Sequence, residues 1–213
     1  MNEIINFGNG FIVTSILIIM VGVINFKTLN WTTPLRVLFC LIIISTLFDI
    51  TGNTMFAYGI HNLWLINIYT ILEYSLFTAF YLILFNLSRN WKLIVGLFYI
   101  LAVAVMISVT VSQSFSEHLN SASMGMKSII LICSSVFYFK VMLEKLEFDT
   151  PWANPLFWIN SAVFLYFSGS FFIFIFSEYR DISRVIYLWD LHNIIHIIYN
   201  LLILVGFWKA RKT

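Results

Sequence analysis

Apolar residues in this chain gather into long runs, and short polar connections separate them. A membrane-spanning α-helix needs about 20 consecutive, mostly apolar residues. Stretches 8 to 26, 35 to 53, 63 to 87, 91 to 112, 124 to 144, 155 to 177 and 184 to 208 approach that length. The pattern predicts an all-α polytopic membrane protein, with one seven-helix transmembrane domain over residues 1 to 213. Thr33-Pro34 and Asn154-Pro155 read as helix starts, each a capping residue before a proline at the first helical position. Gln113 to Ser123, rich in Ser and Asn, reads as an exposed loop.

Polar residues interrupt three of the runs at helical spacing. The second carries Ser45, Asp49 and Asn53 at successive fourth positions, with Thr46 beside them. On the third, Asn67, Thr70, Glu73, Tyr74, Thr78 and Tyr81 share a broader face. On the last, His192, Asn193, His196 and Asn200 fall within about 100° of one another around the helix axis, with Asp190 at the margin. Polar and ionisable groups are costly in hydrocarbon, so each stripe is expected to turn inward and to mark a functional site. At about 1.5 Å rise per residue, Asp49 lies roughly 6 Å from the outer end of its span, His192 roughly 10 Å, and Glu73 and His196 roughly 15 Å. The expectation is a polar cavity open to the outside, with Glu73 and His196 facing each other near the midplane.

Composition agrees with a membrane class. The 213 residues are 61% hydrophobic and 18% aromatic but only 10% charged, against about 25% charged in soluble domains. A net charge of +2 with no basic run argues against nucleic-acid binding. The first ten residues contain Glu3 and no Lys or Arg, so no cleaved signal peptide is expected. Cys40 and Cys133 lack partners at metal-ligand or redox spacing and read as buried free thiols. Trp31, Trp64, Trp91, Trp152, Trp158, Trp189 and Trp208 fall near span ends, as an interfacial belt does. Glu178, Arg180, Asp181 and Arg184 read as a mixed-charge outer loop.

Cations near the span ends set the orientation. Lys27, Arg36, Arg89, Lys92, Lys140, Lys145, Lys209, Arg211 and Lys212 collect on one side, against Lys127, Arg180 and Arg184 on the other. The positive-inside rule then puts the N-terminus outside and the C-terminus in the cytoplasm. Rhodopsins and many receptors share this topology, but with no lysine in the last span before Lys209 a retinal Schiff base is excluded.

Three chemistries fit the inward polar groups. His192 and His196, at i and i+4, form a metal-binding pair that Asp49 or Glu73 would complete. Carboxylates and histidines also relay protons. Alternatively Asp49, Asn53, Glu73, His192, Asn193 and His196 line a pocket for a small ligand. Asn67, Asn160, Ser168 and Ser170 read as hydrogen-bonding glue between helices. No phosphate-binding glycine loop, nucleophile elbow or HExxH motif is present.

His192-x-x-x-His196, Ser45 and an acid on the third span resemble the membrane hydrolase superfamily of alkaline ceramidases and adiponectin-receptor-type proteins. That resemblance implies a zinc cofactor held by His192, His196 and Asp49, with Glu73 as catalytic acid or base. The chain departs from the pattern by having Ser45-x-x-x-Asp49 as its early motif and by lacking a third histidine. A second resemblance runs through Asn154-Pro155-Leu156-Phe157-Trp158-Ile159-Asn160, Tyr166-Phe167-Ser168-Gly169, His192-Asn193-Ile194, Asn200 and Gly206-Phe207-Trp208-Lys209. These segments look like uncharacterised seven-helix proteins and membrane sensor segments of Bacteroidota, some joined to or encoded beside histidine kinases. That likeness implies a sensory or accessory role, with His192-Asn193 as its signature; no cofactor is expected, and the expected partners are the lipid bilayer and a cytoplasmic kinase or other signalling protein. The expected function is therefore a non-enzymatic sensor or receptor. A metal-dependent hydrolase is the alternative, and a small-solute or proton-coupled transporter the third.

Overall fold

The computed structural model describes residues 2–27, 31–112, 120–144, 150–176 and 182–211. Among the described residues the chain is all-helical, with no β-strand: α1 (Asn2–Ile24), α2 (Thr33–Ala57), α3 (Leu63–Phe85), α4 (Arg89–Ser112), α5 (Ser121–Glu144), α6 (Pro155–Phe176) and α7 (Ile182–Lys209), with a 3-10 turn at Pro151–Ala153. Among the described residues, α2 to α7 give six helices long and apolar enough to cross a membrane, and α1 contributes the apolar stretch Gly10–Ile24. Residues 113 to 119 of the expected Ser/Asn-rich loop and Glu178 to Asp181 of the mixed-charge loop lie outside the described residues.

Local chemistry explains the boundaries. At the end of α2 the Ile60 amide donates to the Met55 carbonyl (2.9 Å) and the Gly59 amide to that of Phe56 (3.0 Å). Gly59 takes φ +70° to make this double closure, a conformation that costs glycine nothing. Asn86 ends α3 in the left-handed region, and its amide donates to Ile83. Asn154 caps α6 as expected, its side-chain oxygen accepting from the Leu156 amide at 2.9 Å. Asn120 caps α5 in the same way, accepting from the Ser123 amide at 2.9 Å. The fifth helix therefore starts at Ser121, three residues ahead of the expected position.

The chain divides into two compact units, one of residues 33–127 and one of residues 1–32 with 128–213. In the first, α2 packs on α3; α2 buries Leu35, Leu38, Leu41 and Ile42, and α3 contributes Tyr74, Phe77, Phe80 and Tyr81 to the core. Here α4 buries Ala102, Met106 and Thr110, at four-residue spacing, and exposes Leu93, Leu97, Phe98 and Leu101. An apolar outer face suits a helix whose surroundings are lipid, where hydrophobicity does not drive helices together.

The second unit is built on α6 and α7, with Ile159, Ala162, Val163 and Phe167 buried from one and Ile203 and Phe207 from the other. Glycines set how closely these helices approach. A Cβ on Gly206 would lie 2.7 Å from Ile159 Cγ1 and 3.2 Å from the Pro155 carbonyl oxygen, and one on Gly169 2.6 Å from Ile195 Cδ1. Asn160 is indeed interhelical glue: its amide donates to the Ser135 carbonyl (3.0 Å), while the Ser135 hydroxyl donates back to the Asn160 carbonyl (3.2 Å). From α7, the Asn200 amide reaches three acceptors on α1: the Phe11 carbonyl (3.1 Å), Thr14 Oγ1 (2.9 Å) and Ser15 Oγ (2.9 Å).

One expectation fails. Cys40 and Cys133 are free thiols but exposed rather than buried, on outward faces of α2 and α5. A thiol is a small, weakly polar group, so a lipid-facing site suits it as well as a core.

Candidate functional site

In the first unit, the polar stripes of α2 and α3 meet in a continuous network. Asp49 is partly exposed on α2, and Ser45, one turn earlier, donates to its Oδ2 at 3.5 Å. Tyr69 stands one turn before Glu73 on α3. Its hydroxyl lies 2.9 Å from Ser45 Oγ and 3.2 Å from Glu73 Oε1. The other oxygen of Glu73 receives the ammonium of Lys127, from the second turn of α5, in a direct ion pair. Glu73 and Lys127 are each only 4% exposed. Five side chains thus run in series from Asp49 through Ser45, Tyr69 and Glu73 to Lys127.

Burial of this kind makes the pair costly to form. An ion taken out of water loses several kcal/mol of hydration, which the partner's charge and further hydrogen bonds only partly restore. Glu73 has both its oxygens engaged. Around the network, Phe48 packs against the Tyr69 ring at 5.2 Å. Tyr74 and Tyr99 stack on each other at 5.5 Å, with the Tyr99 hydroxyl on Ser75 at 2.7 Å. Asn53 is half-buried one turn beyond Asp49, and Asn67 and Thr70 are buried on α3.

The histidine stripe belongs to the other unit, and its surroundings are aromatic. His196 is 7% exposed and stacks on Phe11 of α1, with ring centroids 4.9 Å apart. Tyr166 of α6 sits against both histidines, 5.7 Å from His192 and 5.3 Å from His196. His192 also meets Phe174 (5.6 Å) and Trp189 (5.8 Å), and its Nδ1 lies 3.3 Å from the Ser170 hydroxyl. Ser170, expected to be helix glue, therefore also fixes a histidine ring. The two imidazoles are 6.3 Å apart between centroids, and Asn193 is half-buried beside them. Among the described residues, no group of three or more His, Cys, Asp or Glu side chains converges as a metal site.

Two members of the first network were not expected. Lys127 reads from sequence as a flanking cation of the outer surface, but the structure buries it in an interior ion pair. The reason is the early start of α5: three added residues carry Lys127 about 4.5 Å further along the helix axis. Tyr69 falls outside the expected α3 stripe, although its i, i+4 spacing to Glu73 puts both on one helix face. Trp91, Trp152 and Trp208 are exposed, and Arg211 lies over the Trp208 ring at 4.9 Å.

The architecture defines a class: a helical protein with six helices of membrane-crossing length and apolarity. That is the form of a multi-pass membrane protein. Beyond the class, no known family model, curated protein or solved structure matches the chain.

Proposed function

We propose that this chain is a seven-span sensor or receptor of a bacterial inner membrane, with its N-terminus outside and its C-terminus in the cytoplasm. It has no catalytic activity of its own. The observation that carries the reading is the ion pair of Glu73 and Lys127, buried between helices of membrane-spanning length. A buried ion pair adds little net stability compared with apolar packing, whereas intramembrane charges commonly belong to ligand, ion or proton responses. α1, at 23 residues, has the length of the seventh span. With Lys127 in the interior, nine cations remain on the proposed cytoplasmic side against Arg180 and Arg184 on the other, which strengthens the orientation argument.

The responsive element is the Glu73–Lys127 pair with Asp49 linked to it. A ligand, ion or proton arriving from outside and engaging either carboxylate changes the charge that Lys127 faces. The α3–α5 contact is then favourable in one state and costly in the other. Such differential stability is what a ligand needs in order to shift a conformational equilibrium. The output passes through the short cytoplasmic connections to a signalling protein, of which a kinase is one kind.

The test uses full-length protein in lipid nanodiscs, spin-labelled on the connections after α1 and α3. Their separation is measured at neutral and acid pH, and with Glu73→Gln. The reading expects acid and Glu73→Gln to move the distance in the same direction. Distances unchanged by both would refute it.

A further inference from the structure

The network holds two carboxylates and one ammonium: Glu73 meets Lys127, and two hydroxyls bridge Glu73 to Asp49. Each hydroxyl both donates and accepts, so Tyr69 and Ser45 can pass a proton on without net change in themselves. The Tyr69 oxygen lies 2.9 Å from Ser45 and 3.2 Å from Glu73, and Ser45 lies 3.5 Å from Asp49. We propose that Tyr69 and Ser45 form a proton relay between Glu73 and Asp49, and that the side holding the proton decides whether Glu73 is charged against Lys127. The relay rests on the reading that the Glu73–Lys127 pair is the responsive element.

The step balances. With the proton on Asp49, its carboxyl gives it to Ser45 Oγ, Ser45 passes its own to the Tyr69 oxygen, and Tyr69 passes its own to Glu73 Oε1. Asp49 becomes a carboxylate and Glu73 a neutral acid, while both hydroxyls keep one proton each. Rotation of the two hydroxyls resets the chain for transfer the other way. The network's total charge is the same in both arrangements, and only its position moves. With the proton on Asp49, the ionised Glu73 holds Lys127. With the proton on Glu73, the ammonium faces a neutral acid and the negative charge stands at Asp49.

Ser45 to Asp49 is the longest link, at 3.5 Å, and must shorten for transfer; both residues are on α2, one turn apart, so a side-chain rotation suffices. Among the described residues, the titratable groups bonded or paired within the network are Asp49 from α2, Tyr69 and Glu73 from α3 and Lys127 from α5, with Tyr74 of α3 and Tyr99 of α4 stacked beside it. Tyr74 and Tyr99 stack on each other rather than joining the chain.

Infrared spectroscopy of the full-length protein in nanodiscs tests the relay, since a protonated carboxyl gives a carbonyl band that a carboxylate lacks. Asp49→Asn and Glu73→Gln assign the bands. On transfer to heavy water, the Asp49 and Glu73 bands should exchange at one common rate. Tyr69→Phe, which keeps the ring against Phe48, and Ser45→Ala should each uncouple the bands and slow the exchange of one of them by roughly a hundredfold. Equal circular dichroism with the unaltered protein shows that each variant has folded. The relay is overturned if both variants exchange as the unaltered protein does, or if neither Asp49 nor Glu73 ever shows a protonated band. Spin-label distances on the same samples test the sensor reading separately, because a dead relay leaves the response to Glu73→Gln intact.

Discussion

Replacing Lys127 by Met leaves Glu73 buried at 4% exposure, with the Tyr69 hydroxyl as its remaining hydrogen-bond partner among the described residues. The attraction lost is large: two unit charges about 3 Å apart at an effective dielectric of about 20 interact by roughly 5 kcal/mol. Side-chain freedom regained by the remaining partner offsets some of this, and removing one member of a buried pair is generally found to cost about 3–5 kcal/mol. Lys127→Met should therefore destabilise the folded protein by about that amount, provided Glu73 stays ionised. Removing both charges is a different perturbation. The double variant Glu73→Gln, Lys127→Met keeps the volumes and leaves no uncompensated ion, so it should return to within about 1 kcal/mol of the unaltered protein. Reversible unfolding in mixed micelles, run as a double-mutant cycle, gives the coupling directly. Additive costs from the two single variants, with no recovery in the double, would refute the buried pair as described.

The glycine-mediated approach of α6 and α7 predicts that Gly206→Ala lowers stability by about 1–3 kcal/mol, because the new methyl group meets Ile159 and a backbone oxygen. Gly96→Ala on α4, where a Cβ meets nothing within 4 Å, should instead be neutral or stabilising by up to about 1 kcal/mol; similar melting shifts for the two would contradict this packing. Asn200→Leu removes the donor that reaches Phe11, Thr14 and Ser15, and should cost about 0.6–2 kcal/mol in the same unfolding assay. Cys40 and Cys133 should react with a lipid-soluble maleimide in the folded protein and react slowly with a charged, membrane-impermeant one; protection from both reagents would mean that they are buried after all.

Helix existence was legible from sequence because it depends on run length and on turn chemistry, both local. The cap at Asn154 and the expected helix starts and ends, most of them within a few residues of those observed, follow from that. Lys127 shows where local reading stops. Its placement depends on Asn120 starting α5 early, and a shift of three residues turns a flanking cation into an interior one. Tyr69 was hidden for a different reason. Tyrosine is common on outward as well as inward faces of membrane helices, and only its contacts with Ser45 and Glu73 distinguish it here. The cysteines failed because burial statistics drawn from soluble cores reverse their meaning when the outer surface faces lipid.

The polar residues divide by charge, and that division says where a change of state is cheapest. In the unit of α1, α6 and α7, Asn160, Ser135 and Asn200 make hydrogen bonds that do not depend on any carboxylate, and the two histidines rest on aromatic rings. Neutral bonds of this kind hold a structure equally well whether or not a proton or cation arrives. Glu73, the buried carboxylate that meets an ammonium, and Asp49, linked to Glu73 through two hydroxyls, lie together in the other unit. There a single proton changes an attraction worth several kcal/mol. Asn200→Leu should accordingly alter stability while leaving the carboxyl bands of Asp49 and Glu73 in place, whereas Tyr69→Phe should uncouple those bands. If the two variants had interchangeable effects, the separation between a fixed frame and a responsive charge network would not hold.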